Sequence, residues 1–170
     1  EISQGAGRMA GVLKLNNLIM FYDSNEIQLS TECGVVIQED TRKKYESWGW
    51  NVLEINGNDA DEIRGALNAA LKEEQRPTLI IGHTVMGKGA RKDDGTSYEH
   101  NVKTHGAPLG GEAYINTVKN LGGDIENPFV VFDDVKELYA KRTEELRAIV
   151  KERHAAEEEW RKENPQKAAA

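Results

Sequence analysis

Apolar residues recur along the chain with two different periods, and the switches between them lay out the elements. In "EISQGAGRMAGVLKL" (1–15), Ile2, Met9, Val12 and Leu13 share one helical face, with the small residues Ala6, Gly7 and Ala10 between them. Small residues let a helix lie close to a neighbour, and Ser3 is its candidate cap. "NLIMFYD" then reads as a strand, and "CGVVIQ" as a short extended piece. Asp40 is placed to cap a helix over "TRKKYESWG", ended by Gly49, with Trp48 and Trp50 beside that glycine as packing residues. "NVLEI" (51–55) is a second clear strand. Asp59 with Glu62 three residues on forms a capping-box pattern ahead of a stripe of Ile63, Ala66, Leu67, Ala70 and Leu71. Arg76-Pro77 ends that helix, and "TLIIGHT" (78–84) is the third strand.

Strands that alternate with helices of this length predict an α/β fold, a mostly parallel sheet flanked by helices with right-handed crossovers. Residues 85–110 have little periodicity and read as a long loop, a length that compact domains keep for function or disorder. A helix over "GEAYINTVKNLG" follows, then extended "NPFVVFDD". The last helix starts at Asp133 or Asp134 and runs to about Arg161, with Val135, Leu138, Leu146, Ile149 and Val150 as its packing stripe. Its other faces are dense in Lys, Arg and Glu, as on a solvated helix. The expected organisation is an α/β sheet domain over 1–132 and a long C-terminal helical arm over 133–170, ending in a linker-like "NPQKAAA". Glu1 is not an initiator Met and the helical pattern is already under way there, so a piece of a longer protein is expected.

Composition narrows the function. The chain has 170 residues and a net charge of −7, which argues against nucleic acid or an anionic membrane as its main partner. No apolar run approaches the ~20 residues of a membrane span. Cys33 is the single cysteine, so no internal disulfide is available and a reducing compartment, the cytoplasm, is expected.

Ligands of parallel sheets bind outside the carboxyl ends of the strands. Two stretches fall there: Asp23 to Ile27, and Thr84 to Gly89. Asn25 offers a carboxamide oxygen and Ile27 a backbone carbonyl, two hard donors suited to Mg²⁺; an Asx turn is the competing use of Asp23-Ser24-Asn25. Gly87-Lys88-Gly89 is either an anion nest or a flexible turn. His105, in "THGAPLGG", is a candidate phosphate donor or proton shuttle, or an exposed loop residue. His83 reads as a strand-end residue, and His100 and His154 as exposed.

"AGVLKLNNLIMFYDSNEI" together with "THGAPLGG" closely resembles transketolase, and the likeness extends over essentially the whole chain. It implies the later part of the thiamine diphosphate-binding domain, with the helical arm as a linker towards a pyrimidine-binding domain. By that resemblance Asn25 is a ligand of Mg²⁺, or of another divalent cation such as Ca²⁺, and also touches the diphosphate. The backbone oxygen of Ile27 is the second protein ligand. Leu29 packs near the thiazolium ring, and His105 lies close to diphosphate and substrate as a catalytic residue. The family's GDG motif would fall just before Glu1. The implied whole is a homodimeric, cytoplasmic enzyme of the pentose phosphate pathway that moves a two-carbon ketol unit from a ketose phosphate to an aldose phosphate. This chain alone is expected to be inactive. In the family the position after the Asn is often Gly; here it is Glu26.

Two other readings stand beside it. A receiver-like signalling module would bind Mg²⁺ and be phosphorylated at Asp23, with Thr84 at a later strand end. A non-catalytic oligomerisation module would be built around the charged helix.

Overall fold

The computed structural model describes residues 2–169, with Ile2 by its backbone alone. Any packing of the Ile2 side chain therefore lies outside the described residues. The chain forms two compact units, Glu1–Gly123 and Asp124–Ala170.

In the first unit the order is α1 (Ile2–Val12), β1 (Ile19–Ser24), α2 (Thr41–Ser47), β2 (Asn51–Asn56), α3 (Ala60–Ala70), β3 (Thr78–His83) and α4 (Gly111–Asn120). The three strands make one parallel sheet in the order β1-β3-β2. Strand β3 is central and, except for its last residue, wholly buried, which is why "TLIIG" is an unbroken small or apolar run. Alternation sends its side chains to two cores. Leu79 and Ile81 join Ala10, Trp50 and Val52 on one face, with Tyr45 and Trp48 of the α2 end packed against them. Ile80 joins Ala66 and Ala70 of α3 on the other. The sheet thus has helices on both faces, as expected of the pattern.

The caps at Asp40 and Asp59 behave as the sequence indicates, with one variation, whereas Ser3 lies inside α1 and does not cap it. The Asp40 carboxylate accepts the Lys43 N–H, which first among its causes holds that carboxyl below its ordinary range. Asp59 accepts the Asp61 and Glu62 N–H groups, and Glu62 reaches back to the N–H of Asn56 at the end of β2. The box therefore ties α3 to the strand before it.

Several expectations change. In α1 the face that packs is the small one. Gly7 and Ala10 are buried, whereas Met9, Val12 and Leu13 are exposed. The Trp50 indole N–H donates to the Gly7 carbonyl at 2.8 Å, and Gly11 lies under the Trp48 carbonyl. Backbone approach decides this contact, so large residues are excluded from it. In α3, Ala66 and Ala70 are buried but Leu67 and Leu71 are exposed, because the helix also approaches the sheet through its smallest residues. "CGVVIQ" is not extended: Cys33–Val35 is a 3₁₀ turn, and Val35, Val36 and Ile37 are exposed.

The second unit contains α5 (Asp133–Glu163) and α6 (Pro165–Ala168). The position before α5 is Phe132, with no side-chain cap, and Asp133 and Asp134 lie in the first turn, where they complement the helix dipole. Its expected packing stripe is not buried: Val135 is half-buried and Leu138, Leu146, Ile149 and Val150 are exposed. Exposed pairs at i,i+3 and i,i+4, such as Lys136–Asp133 and Arg161–Glu157, line it instead. No helix among the described residues is long and apolar enough to cross a membrane.

The close approach of α1 makes a paired prediction. A Cβ on Gly11 would stand 1.8 Å from the Trp48 carbonyl oxygen, whereas one on Gly5 meets nothing within 4 Å. Gly11→Ala is expected to cost about 3 kcal/mol or more through overpacking. Gly5→Ala is expected to gain about 0.5–1 kcal/mol from helix propensity. Thermal unfolding followed by circular dichroism reads both; equal midpoints for the two variants would remove α1 from the core.

Candidate functional site

The parallel register places Ser24, His83 and Asn56 side by side at the carboxyl edge of the sheet. The ladder runs on past them. The Thr84 N–H donates to the Ser24 carbonyl at 3.2 Å, and the Gly57 N–H to the His83 carbonyl at 2.7 Å. The Thr84 hydroxyl also donates to the Asp23 carboxylate. That contact fixes the last residues of β1 just before Asn25.

Asn25 then turns the chain. Its Oδ1 accepts the Ile27 N–H at 3.0 Å, the Asx turn its neighbours called for. Glu26, between them, sits at φ 63°, in the left-handed region. The chain then folds back as a tight hairpin, with Ile27 opposite Glu32. The hairpin bonds are Gln28 N–H to Thr31 O at 2.9 Å and Cys33 N–H to Glu26 O at 2.8 Å. They bracket the Ile27–Glu32 pair without using either residue, so the N–H and C=O of Ile27 face the other edge. That edge is where the Ile27 N–H meets Asn25 Oδ1, so the turn aims both candidate ligand oxygens to one side. The Asx turn and the metal reading therefore coexist: one lone pair of Oδ1 holds the turn, and the second remains.

Asn25 and Ile27 line a cavity of about 650 Å³, together with Asp23, Arg42, Glu54 and His83. Glu54 is the element that sequence reasoning missed. Its carboxylate accepts from Arg42 Nε at 2.8 Å and lies 2.8 Å from His83 Nε2. Arg42, and next His83, hold the Glu54 carboxyl below its ordinary range. The available signal was a charge two residues after the core residue Val52, on the same strand face. Arg42 thereby neutralises one acid on the cavity wall, with His83 in hydrogen-bond contact with the same carboxylate.

Leu29 lies near the hairpin tip and is exposed. Its Cδ1 is 3.8 Å from where a Cβ of Gly106 would stand, so Leu29 faces the residue after His105. His105 ends a 3₁₀ turn, Val102–His105, and is exposed. Neither Leu29 nor His105 lines the 650 Å³ cavity. A second cavity of about 480 Å³ is lined by Ile27 and Glu26 on one side and His100 on the other. His100 was read only as exposed; it lines this cavity from a left-handed backbone, φ 56°. The structure thus joins Asn25 to Ile27, and Leu29 to the His105 loop, through one hairpin.

Gly87-Lys88-Gly89 has the left-handed glycines of a nest, at φ 61° and 81°. Two of its three N–H groups are occupied, however. Lys88 N–H donates to Val85 O, and Gly89 N–H donates to the Glu99 carboxylate at 2.7 Å, which is the leading cause of that acid's lowered pKa. The anion it holds is the chain's own.

No group of three or more His, Cys, Asp or Glu side chains able to hold a metal ion occurs among the described residues. The donors gathered here are an amide oxygen and a carbonyl, which fit a hard cation sharing its shell with phosphate and water. Asp23, which the receiver reading requires, accepts the Thr84 hydroxyl.

Comparison with known proteins agrees on one family. The family profile described as "Transketolase, thiamine diphosphate binding domain" matches residues 1–170. A transketolase of Staphylococcus epidermidis is 38% identical over 160 residues, covering 94% of this chain and 22% of that protein. One of Streptococcus pyogenes is 44% identical over 112 residues, 65% of this chain and 14% of its own length. Among solved structures, the Pichia stipitis transketolase in complex with sedoheptulose-7-phosphate superposes with a TM-score of 0.87 at 28% identity, over 98% of this chain and 24% of that one. The Campylobacter jejuni transketolase gives 0.66 at 39% identity, over 76% and 19%. The chain spans about a fifth of the length of the Staphylococcus relative it matches. It belongs to the transketolase thiamine diphosphate-binding domain family.

Proposed function

We propose that this chain is the part of a transketolase that holds the diphosphate end of thiamine diphosphate. The complete enzyme transfers a two-carbon ketol unit from a ketose phosphate to an aldose phosphate, as a homodimer in the cytoplasm. The observation that carries the reading is the shared direction of the Asn25 amide oxygen and the Ile27 carbonyl, at the carboxyl end of a parallel strand.

Asn25 Oδ1 and Ile27 O supply two corners of the shell of Mg²⁺ or Ca²⁺, and the Asn25 amide also meets the diphosphate. Leu29 gives the thiazolium ring an apolar wall, which its exposure leaves available. The His105 imidazole donates to the diphosphate and to the substrate, the catalytic role nearest the reacting atoms. Bound thiamine diphosphate supplies the electron sink for breaking and making the carbon–carbon bond. Glu26 lines the same cavity as Asn25 and Ile27 and is exposed, so water screens its carboxylate from the diphosphate. Residues 1–132 are the diphosphate-binding portion, and 133–170 link it towards a pyrimidine-binding domain. The chain alone, with only part of the site, turns over no sugar phosphate.

Calorimetric titration of thiamine diphosphate with Mg²⁺ into the full-length protein tests this. Asn25→Ala is expected to weaken binding by more than about tenfold, the loss of one charge-assisted contact. Asn25→Asp keeps an acceptor for the turn and is expected to retain the metal. His105→Ala is expected to bind cofactor and lose turnover. Unchanged affinity in Asn25→Ala overturns the assignment.

Glu26 gives a second prediction. Its left-handed φ costs about 1–2 kcal/mol in a residue with a Cβ, part of which glycine gives back in chain entropy. Glu26→Gly is expected to stabilise the protein by about 1 kcal/mol, seen as a raised thermal midpoint with cofactor affinity retained. A lowered midpoint would mean that the Glu26 side chain supports the hairpin.

A further inference from the structure

The stretch 85–110 reads as a loop, yet much of it is fastened. Residues 90–98 form a small hairpin, with Arg91 opposite Ser97, Tyr98 N–H on Ala90 O and Lys92 N–H on Thr96 O. The hairpin lies along one face of α4, where Ala113, Asn116, Thr117 and Asn120 recur at i, i+3, i+4 and i+7. That face is a row of hydrogen bonds to backbone. The buried Thr117 hydroxyl accepts the Arg91 N–H at 2.9 Å and donates to the Arg91 carbonyl at 3.5 Å. Asn116 Nδ2 donates to the Lys92 and Asp93 carbonyls, each at 3.1 Å. Asn120 Nδ2 donates to the Gly89 carbonyl at 2.9 Å and its Oδ1 accepts from Arg91. Asp93 accepts the Ala113 N–H near the start of the helix.

The consequence concerns His105. The hairpin ends at Tyr98 and α4 begins at Gly111, so joining the two closes a loop of residues 99–110 with His105 inside it. The loop is pinned again within itself. His100 N–H donates to Met86 O at 2.9 Å, and the Thr104 side chain fills the space left by the missing Cβ of Gly87. Gly106 then faces Leu29. Closing a loop lowers the entropy that its residues have left to lose on ordering.

We propose that Asn116, Thr117 and Asn120 are positioning residues for His105, acting through the closed 99–110 loop to hold its imidazole beside the Asn25–Leu29 hairpin. The proposal rests on the functional reading of His105 above. None of the three touches the site itself; they set where the loop that carries it can go.

Hydrogen–deuterium exchange on the intact, cofactor-free protein tests it at the His100, Thr104 and Ala107 amides, each bonded to backbone within the loop or its neck. Thr117→Val leaves the Arg91 N–H without its acceptor and is expected to speed exchange at those amides by about tenfold, while Ile80 and Ile81 in β3 exchange as before. Thr117→Ser, which restores the hydroxyl, is expected to return the parent rates. Asn116→Ala, which removes only the two turn contacts, gives a milder change in the same direction and serves if Thr117→Val does not fold. Exchange that stays slow at 99–110 in both Thr117→Val and Asn116→Ala overturns the proposal. So does exchange that rises equally in β3, since that marks general destabilisation. Adding thiamine diphosphate and Mg²⁺ separates the two readings: no added protection at Asn25 to Leu29 in any variant defeats the functional assignment, while the cofactor-free pattern still decides the positioning one.

Discussion

Strand β3 is bonded on both edges, and the turn at Asn25 to Ile27 hangs from what that pairing fixes. Its register with β1 and β2 brings three carboxyl ends to one level. The extra bonds from Thr84 to Ser24 and from Gly57 to His83 carry the alignment one residue past the strands. A slip of one residue in a parallel strand would move Asp23 and Ser24 each to the face the other now occupies. Thr84 would then miss the Asp23 carboxylate, and Asn25 would begin its turn from the wrong edge. The buried apolar run of β3 is what forbids the slip, since Leu79 and Ile81 serve one core and Ile80 the other.

The turn built on that edge resolves an electrostatic difficulty. A site for a diphosphate and a divalent ion needs oxygen donors, yet further carboxylates from this strand would repel the diphosphate. Asn25 and Ile27 supply oxygen without net charge. The acids nearby are handled in different ways. Asp23 accepts the Thr84 hydroxyl, Glu54 is balanced by Arg42, and Glu26 is exposed to water. The hairpin geometry depends on Glu26 accepting a left-handed backbone, which is the physical reason that glycine suits this position.

Much of this was legible in the sequence. Period-2 and period-3.6 runs gave the strands and helices of the sheet domain because burial there is dictated by side-chain volume and spacing. The two caps at Asp40 and Asp59 were legible because a carboxylate one residue ahead of a helix has few other uses. The misses share a cause. Helix α1 was assigned to its large apolar residues, but it docks by Gly7 and Gly11 against the backbone and rings of Trp48 and Trp50. Helix α3 does the same with Ala66 and Ala70. Where contact is made by the absence of a side chain, hydrophobic patterning points to the wrong face. The 85–110 stretch failed for a related reason. Its order comes from side chains bonding to backbone, and a row of Asn and Thr on a helix leaves no hydrophobic period to read. Glu54 enters the site by register, and His100 lines the neighbouring cavity, neither of which residue type alone encodes.

The two halves of the site therefore have supports of different kinds. Asn25 and Ile27 are set by a parallel ladder whose bonds lie between buried strands. His105 is set by hydrogen bonds between a hairpin and α4, most of them partly or fully open to water. Exchange with solvent makes each such bond worth less than its geometry implies, about 1 kcal/mol net. The buried member of the set, Thr117, weighs most, because its loss leaves the backbone N–H of the half-buried Arg91 without its acceptor. In the proposed reading, a rigid half would hold the cofactor's charge and a looser half would carry the imidazole, a workable division if the cofactor stays while substrates come and go. The asymmetry follows from the chemistry of the two supports: apolar burial and backbone ladders on one side, one well-placed hydroxyl and two amides on the other.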